Sequence, residues 1–108
     1  MCQNSSFVTL TESEDSQITW CKGCKTFSLS YKCCCASFTE KELIQFNELL
    51  KGLESLDYSY QFMGKPHTII KNPCAYIGFC LSEKDTKKLE SVTSEALTMF
   101  EAFRIIYH

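Results

Sequence analysis

The chain has 108 residues, 44% of them hydrophobic, and a formal net charge of −2 at pH 7. This length and apolar content predict one globular domain with a hydrophobic core and exclude a disordered chain. The eleven basic residues are scattered rather than gathered on one face, so we expect no nucleic-acid partner. Because no apolar run is long enough to cross a bilayer, we also expect no membrane partner.

Eight cysteines are a high number for a chain of this length. The N-terminal residues show neither the basic nor the apolar region of a signal peptide, so we expect a cytoplasmic protein with reduced thiols. Reduced cysteines serve as small buried hydrophobic groups, metal ligands or redox groups. In an exported protein they would instead form disulfides, in a pairing that the sequence does not reveal.

The first forty residues predict strands. Residues 7–11 and 17–21 are rich in β-branched and aromatic side chains and flank an acidic turn, which indicates a hairpin. Residues 25–35 alternate between apolar and polar types, so we expect one long, half-buried strand. The alternation directs Cys33 and Cys35 toward the core and Cys34 away from it.

Two capping motifs predict where the helices begin. Thr39 and Glu42 fit a capping box, and the apolar spacing that follows predicts a helix ending at residues 53–56. Ser82 and Asp85 repeat this motif, and helical spacing predicts a long helix from about Glu83 to Arg104 or beyond.

Between the helices, three segments predict strands that are separated by turns: 58–62, 67–71 and 75–81. We therefore expect an α+β fold in one domain, residues 1–108, with an antiparallel sheet of about six strands and two helices on one face. The halves 1–56 and 57–108 both read as three strands and a helix. A duplicated βββα unit is thus an open alternative, which longer self-similarity would be needed to establish.

The spacing Cys21-x-x-Cys24 suggests a structural zinc site. Two thiolates in a tight turn at a hairpin tip can bind one Zn²⁺, and Gly23 suits such a turn. If opposing residues of the first hairpin have numbers that sum to about 27, Cys2 lies across from Lys25 and joins the pair. We therefore predict Cys2, Cys21 and Cys24 as metal ligands. The fourth ligand would be water or one of three residues that the sequence does not distinguish: His67, Cys74 and Cys80.

A thiol-based redox protein that uses Cys21 and Cys24 is the alternative. Redox sites of the thioredoxin type place the first cysteine at a helix N-terminus, whereas a strand is predicted after Cys24. The sequence contains no recognisable catalytic motif, so we predict no catalytic residues.

The C-terminal helix carries more apolar residues than one sheet needs for packing. Met99, Ile105, Ile106 and Tyr107 lie outside its main apolar stripe. Surplus apolar surface of this kind is typical of a subunit contact, so we expect a homodimer or another protein partner.

Three short motifs resemble an uncharacterised family of small bacterial proteins. They are Met1-Cys2, Trp20-Cys21-x-x-Cys24 and Phe27-x-Leu29-x-Tyr31 before a capped helix. The resemblance implies a cytoplasmic bacterial protein in which Cys2, Cys21 and Cys24 act together, but it supplies no activity. The sequence thus favours a small non-enzymatic cytoplasmic interaction domain with a structural zinc site.

Overall fold

A computed structural model describes residues 7–32, 34–54, 57–71 and 78–107, and for three of them, Lys71, Ile106 and Tyr107, only the backbone. In chain order, its elements are β1 (Phe7–Glu12), β2 (Ser16–Cys21), β3 (Thr26–Tyr31), β4 (Cys34–Phe38), α1 (Glu40–Lys51), β5 (Tyr60–Phe62), β6 (Lys65–Lys71), β7 (Gly78–Ser82) and α2 (Glu83–Tyr107).

The strands form two antiparallel sheets, ordered β1-β2-β3-β4 and β5-β6-β7. The α+β class is confirmed, whereas the single sheet of about six strands was wrong. Every described pairing joins strands that are consecutive in the chain, and α1 separates the two groups of strands. Each sheet precedes one capped helix, as a repeat of βββα units would require. The first sheet, however, has four strands and not three. The duplication therefore stays a prediction.

The extra strand arises from a chain reversal at Lys32. This residue adopts a left-handed conformation, with φ at 53°, and its N–H donates to the carbonyl of Asp15 at 2.7 Å. The predicted strand 25–35 is therefore split, and β4 returns along β3, so that Cys35 pairs with Ser30 on the outer face. The expectation that Cys35 faces the core was wrong, because its side chain is exposed. Cys33 lies outside the described residues.

Both helices pack on the inner face of the four-stranded sheet. Helix α1 contacts β3 and β4, while α2 contacts β1 and β2 and also reaches β6 and β7 of the second sheet. A bulge in β1 shifts the register between Thr9 and Thr11, so Leu10 and Thr11 are both buried. The buried Thr11 hydroxyl donates to Glu95 of α2 at 3.0 Å, which satisfies it inside the core.

Both predicted capping motifs are confirmed. At α1, Thr39 N–H donates to the Glu42 carboxylate at 2.8 Å, and Glu42 N–H donates to the Thr39 hydroxyl at 3.2 Å. Ser82 and Asp85 exchange the same bonds at the start of α2, at 3.3 and 3.2 Å. Helix α1 ends at Lys51, slightly before the expected range, and α2 continues beyond Arg104 to Tyr107.

A buried amide joins the two helices. Asn47 of α1 directs its Nδ2 group toward α2, where it lies 2.7 Å from the Thr93 hydroxyl and 2.9 Å from the Ser94 hydroxyl. The Glu90 carbonyl is 3.3 Å away. Because Thr93 is fully buried, water cannot replace these bonds.

We expect Asn47→Ala to lower the free energy of unfolding by about 1–3 kcal/mol, since it leaves buried hydroxyl and carbonyl groups without their donor. Urea unfolding measures the change. The control is Gln45→Ala, two residues earlier on the exposed side of α1, which should change stability by no more than about 0.5 kcal/mol. Equal effects of the two substitutions would contradict the role assigned to Asn47.

Candidate functional site

The Cys21–Cys24 turn lies between β2 and β3, as predicted. Lys25 N–H donates to the Cys21 carbonyl at 2.8 Å, and Cys24 N–H donates to Cys21 Sγ at 3.3 Å. The left-handed residue of this turn is Lys25, with φ at 55°. The turn therefore folds back on the sulfur of Cys21.

The two cysteines of the turn differ in state. Cys21 is a free thiol and only 2% exposed, although its position opposite Phe7 and Thr26 places it on the outer face of the sheet. Cys24 is exposed and disulfide-bonded. Since the Cys21 thiol is free, Cys21 is not the disulfide partner of Cys24.

The structure describes only two of the three predicted zinc ligands, Cys21 and Cys24. Cys2 lies outside the described residues, as does Cys74. Within the described part of the chain, no three His, Cys, Asp or Glu residues are arranged to hold a metal ion. His67 and Cys80 belong to the second sheet. In the first hairpin the numbers of opposing residues sum to 28 from Phe7 to Thr9 and to 29 beyond the bulge, against the predicted sum of about 27. The three-cysteine site stays a prediction.

The redox alternative also stays a prediction. Strand β3 begins two residues after Cys24, so no helix N-terminus follows the pair. The disulfide that this alternative requires, between Cys21 and Cys24, is not formed, because Cys21 is free.

A polar cluster connects the four-stranded sheet to the start of α2. Tyr31 Oη donates to Asp85 Oδ1 at 2.5 Å, and Lys32 Nζ donates to the same oxygen at 3.1 Å. The other oxygen of Asp85 accepts the Ser82 N–H of the helix cap. Both oxygens of Asp85 therefore hold local structure in place, and the cluster is a structural connection.

The polar cluster shifts the pKa values of Tyr31 and Asp85 in opposite directions. Burial, followed by the hydrogen bond to Asp85, raises the pKa of Tyr31 above its ordinary value of 10. Burial alone would raise the pKa of Asp85, but the hydrogen bonds from Tyr31, Lys32 and Ser82 outweigh it and lower that pKa from 3.8 to about 2. The Asp85 carboxylate is therefore stabilised in the folded protein.

A surface of different character covers the outer side of the second sheet. Thr68, Ile70 and Leu81 are buried on its inner side. The opposite side carries Lys65, opposite Phe62, and four uncharged residues, which we call the outer patch: Tyr60, Phe62, Ile69 and Cys80. The first three are 48%, 45% and 45% exposed, respectively. The His67 ring lies among them, edge-on to Phe62 at 5.4 Å.

The β5–β6 hairpin ends in an exposed methionine. Met63 and Gly64 form the two-residue turn and both have positive φ, at 53° and 77°. Turns of this type favour Asn-Gly or Asp-Gly, because most side chains are strained in the left-handed conformation. Met63 is nevertheless 88% exposed at the tip, beside the outer patch.

Sequence reasoning placed β5, β6 and β7 as strands but did not identify the outer patch or the strained tip. The available signal was the Met63-Gly64 pair, a hairpin turn with an unusual first residue. The predicted surplus on α2 is partly confirmed, since Met99 and Ile105 are exposed. Neither described helix combines the length with the apolar character that spanning a bilayer requires.

A comparison with known families matches residues 1–103 to a family model described as a family of unknown function (DUF6686). No curated protein and no solved structure matches the chain. The resemblance to an uncharacterised family is thus confirmed, while bacterial origin and cytoplasmic location stay predictions.

We expect Asp85→Asn to lower the free energy of unfolding by about 2 kcal/mol at neutral pH, because it removes a carboxylate whose folded pKa is depressed. That contribution is present above the unfolded pKa near 4 and is lost as the pH falls toward 2. The two proteins should therefore converge in stability as the pH falls through this window, as measured by urea unfolding.

The control is Glu48→Gln, which removes an exposed carboxylate on α1 and should change the free energy of unfolding by no more than about 0.5 kcal/mol. A constant difference between wild type and Asp85→Asn from pH 7 to about pH 2 would contradict the assigned pKa.

Proposed function

We propose that this chain, which belongs to the DUF6686 family of unknown function, is an interaction domain that pairs with a second copy of itself through the outer patch. The observation that carries the proposal is Met63, an apolar residue held in a strained turn and 88% exposed beside that patch. In this proposal the protein acts through binding rather than through catalysis.

The conformation of Met63 is costly for the isolated chain. A left-handed conformation costs an ordinary residue roughly 1–2 kcal/mol. Being almost fully exposed, the side chain has little packing with which to offset that cost. Strained residues of this kind concentrate at binding sites, and flexible methionine side chains suit protein-binding surfaces. A partner that covers the hairpin tip would account for both the strain and the exposure.

The first sheet provides an internal comparison. Its outer face is rich in hydroxyl groups, as expected for a sheet face in contact with water. Its Ser and Thr members are Thr9, Thr19, Thr26, Ser28, Ser30 and Ser37. The second sheet is shorter, yet its outer face carries two aromatic rings and an isoleucine. Water alone would not favour this difference, so it supports a covering partner on the second sheet only.

A second copy is the occupant that these properties fit. The net charge of −2 produces little repulsion between copies. The four residues of the outer patch are uncharged, and Lys65, which pairs with Phe62 on the same face, lies at the turn end of the sheet. The patch can therefore face itself across a two-fold axis if the contact leaves the two Lys65 side chains in water. Association would also place the strained tips in contact with protein rather than water.

We expect the combined substitution Phe62→Thr and Ile69→Thr to weaken self-association at least about tenfold, since each side chain contributes about 1.5–3 kcal/mol on full burial. Threonine keeps the strand preference while removing apolar surface. Light scattering across a concentration series measures the association. The matched control is Leu49→Gln on α1, because Leu49 is 47% exposed but lies outside the patch. A strictly monomeric wild type, or equal association of both variants, would contradict the proposal.

We expect Met63→Asn to act in opposite directions on folding and on association. The monomer should gain up to about 1 kcal/mol of stability, because asparagine suits the left-handed position, whereas the dimer should weaken. Thermal unfolding of dilute protein measures the first effect, and light scattering of concentrated protein measures the second. A loss of monomer stability would show that Met63 packs within its own chain. The exposed, strained Met63 would then no longer support the proposed dimer.

A further inference from the structure

A histidine lies in the middle of the outer patch, and histidine is the side chain whose charge ordinarily changes between pH 5 and 8. We propose that two copies of the chain associate while His67 is neutral and separate when acidification adds a proton to its ring. The inference rests on the proposed dimer through the outer patch and adds a regulation to that contact.

The outer patch surrounds His67 on the outer side of the second sheet. His67 pairs directly with Tyr60 of β5, and its ring lies edge-on to Phe62 at a centroid distance of 5.4 Å. Ile69 follows it on the same face of β6, and Cys80 of β7 pairs with Ile69. A partner that covers these four residues therefore also covers His67, even when the lysine at the turn end stays in water.

A hydrogen bond within the chain determines which nitrogen of the neutral ring carries the proton. His67 Nδ1 lies 2.9 Å from the Lys65 carbonyl oxygen. Because a carbonyl only accepts, Nδ1 is the donor and carries the proton of the neutral ring. A second proton is therefore taken up at Nε2, and the ring then holds a full positive charge. The Lys65 carbonyl is uncharged and does not neutralise it.

Among the residues that the structure describes, the outer side of the second sheet carries no carboxylate. The neighbours of β6 on this side are Tyr60, Phe62, Cys80 and Ser82. The titratable ones, a tyrosine and a cysteine, are ordinarily uncharged in the range in which histidine titrates. The charged residues of β6 itself are both lysines, Lys65 and Lys71, at the two ends of the strand. A protonated His67 therefore meets like charges on its own strand.

Helix α2 begins directly after β7 with two acidic residues, and both have partners within the chain. Glu83 forms an ion pair with Lys87 at 3.3 Å. Asp85 accepts hydrogen bonds from the four-stranded sheet at one oxygen and from the Ser82 N–H at the other. These carboxylates are thus engaged elsewhere and do not supply a counter-ion for His67.

Covering an unpaired positive charge is unfavourable, so the dimer selects the neutral ring and proton uptake favours the separated copies. A two-fold axis brings two His67 rings into the same contact. A histidine in water has a pKa near 6.5. Complete desolvation of one such ring would weaken association about tenfold between about pH 7.5 and about pH 5.5, and desolvation of both rings about a hundredfold.

The test is the dissociation constant of the dimer at about pH 7.5 and about pH 5.5, the range in which histidine titrates. Analytical ultracentrifugation of the intact chain at constant ionic strength measures it. For wild type, the constant should rise at least about tenfold at the lower pH. His67→Gln cannot take up a proton and should give about the same constant at both values. His108→Gln removes the other histidine of the chain and should behave as wild type.

A substitution inside the contact can itself weaken association, so the ratio of the two constants is compared for each protein. His67→Phe is a second uncharged variant, and circular dichroism at both pH values checks folding. Equal constants for wild type at both pH values, or a wild-type ratio in the uncharged variants, would overturn the role of His67 and leave the dimer in place. A wild type that is monomeric at both pH values up to about 1 mM would instead remove the dimer itself.

Discussion

The packing of α2 against both sheets is the constraint on which the rest of the structure depends. Its buried stripe contains Leu89, Val92, Ala96 and Phe100. Phe100 meets the rings of Trp20 and Phe27 at centroid distances of 4.7 and 4.9 Å, so the four-stranded sheet is fixed on one part of the helix. The same helix contacts β6 and β7. One element therefore supplies the inner layer for two sheets that do not pair with each other in the described residues.

This arrangement determines where function can reside. Because both inner faces are used against the helices, each sheet has only its outer face and its turns available for binding. The outer face of the first sheet is hydroxyl-rich and bears the Cys21–Cys24 turn at one end. The outer face of the second sheet is apolar and ends in the strained Met63 turn. The proposed contact surface and the Cys21–Cys24 turn thus belong to different sheets.

Local signals in the sequence were sufficient for part of the fold. The capping boxes at Thr39 and Ser82 are short-range motifs, and both helices begin where these motifs predict. The reversal at Lys32 was missed because the apolar alternation continues through it. A lysine in the left-handed conformation, unlike a glycine, gives no sign of a turn in the sequence. The additional strand and the exposure of Cys35 both follow from that single residue.

The disulfide state of the Cys21–Cys24 turn and the position of the outer patch could not be predicted from the sequence, for a physical reason. The spacing of Cys21 and Cys24 identified their turn, but disulfide pairing depends on tertiary distances that spacing does not give. For β6, both faces carry apolar residues, Ile69 outside and Ile70 inside, so alternation could not tell which face packs on the core. The outer patch becomes visible only once α2 is known to cover the other side.

The central claim is that the outer patch contacts a second copy of the chain. Dilution of isotopically labelled protein from about 1 mM to about 5 µM tests it most directly, because this range spans ordinary weak association. Amide resonances would be followed by nuclear magnetic resonance. The account predicts concentration-dependent shifts concentrated at Tyr60, Phe62, Met63, Ile69 and Cys80, with the outer face of the first sheet unaffected. Spectra that do not change with concentration, or shifts centred on the first sheet, would contradict it.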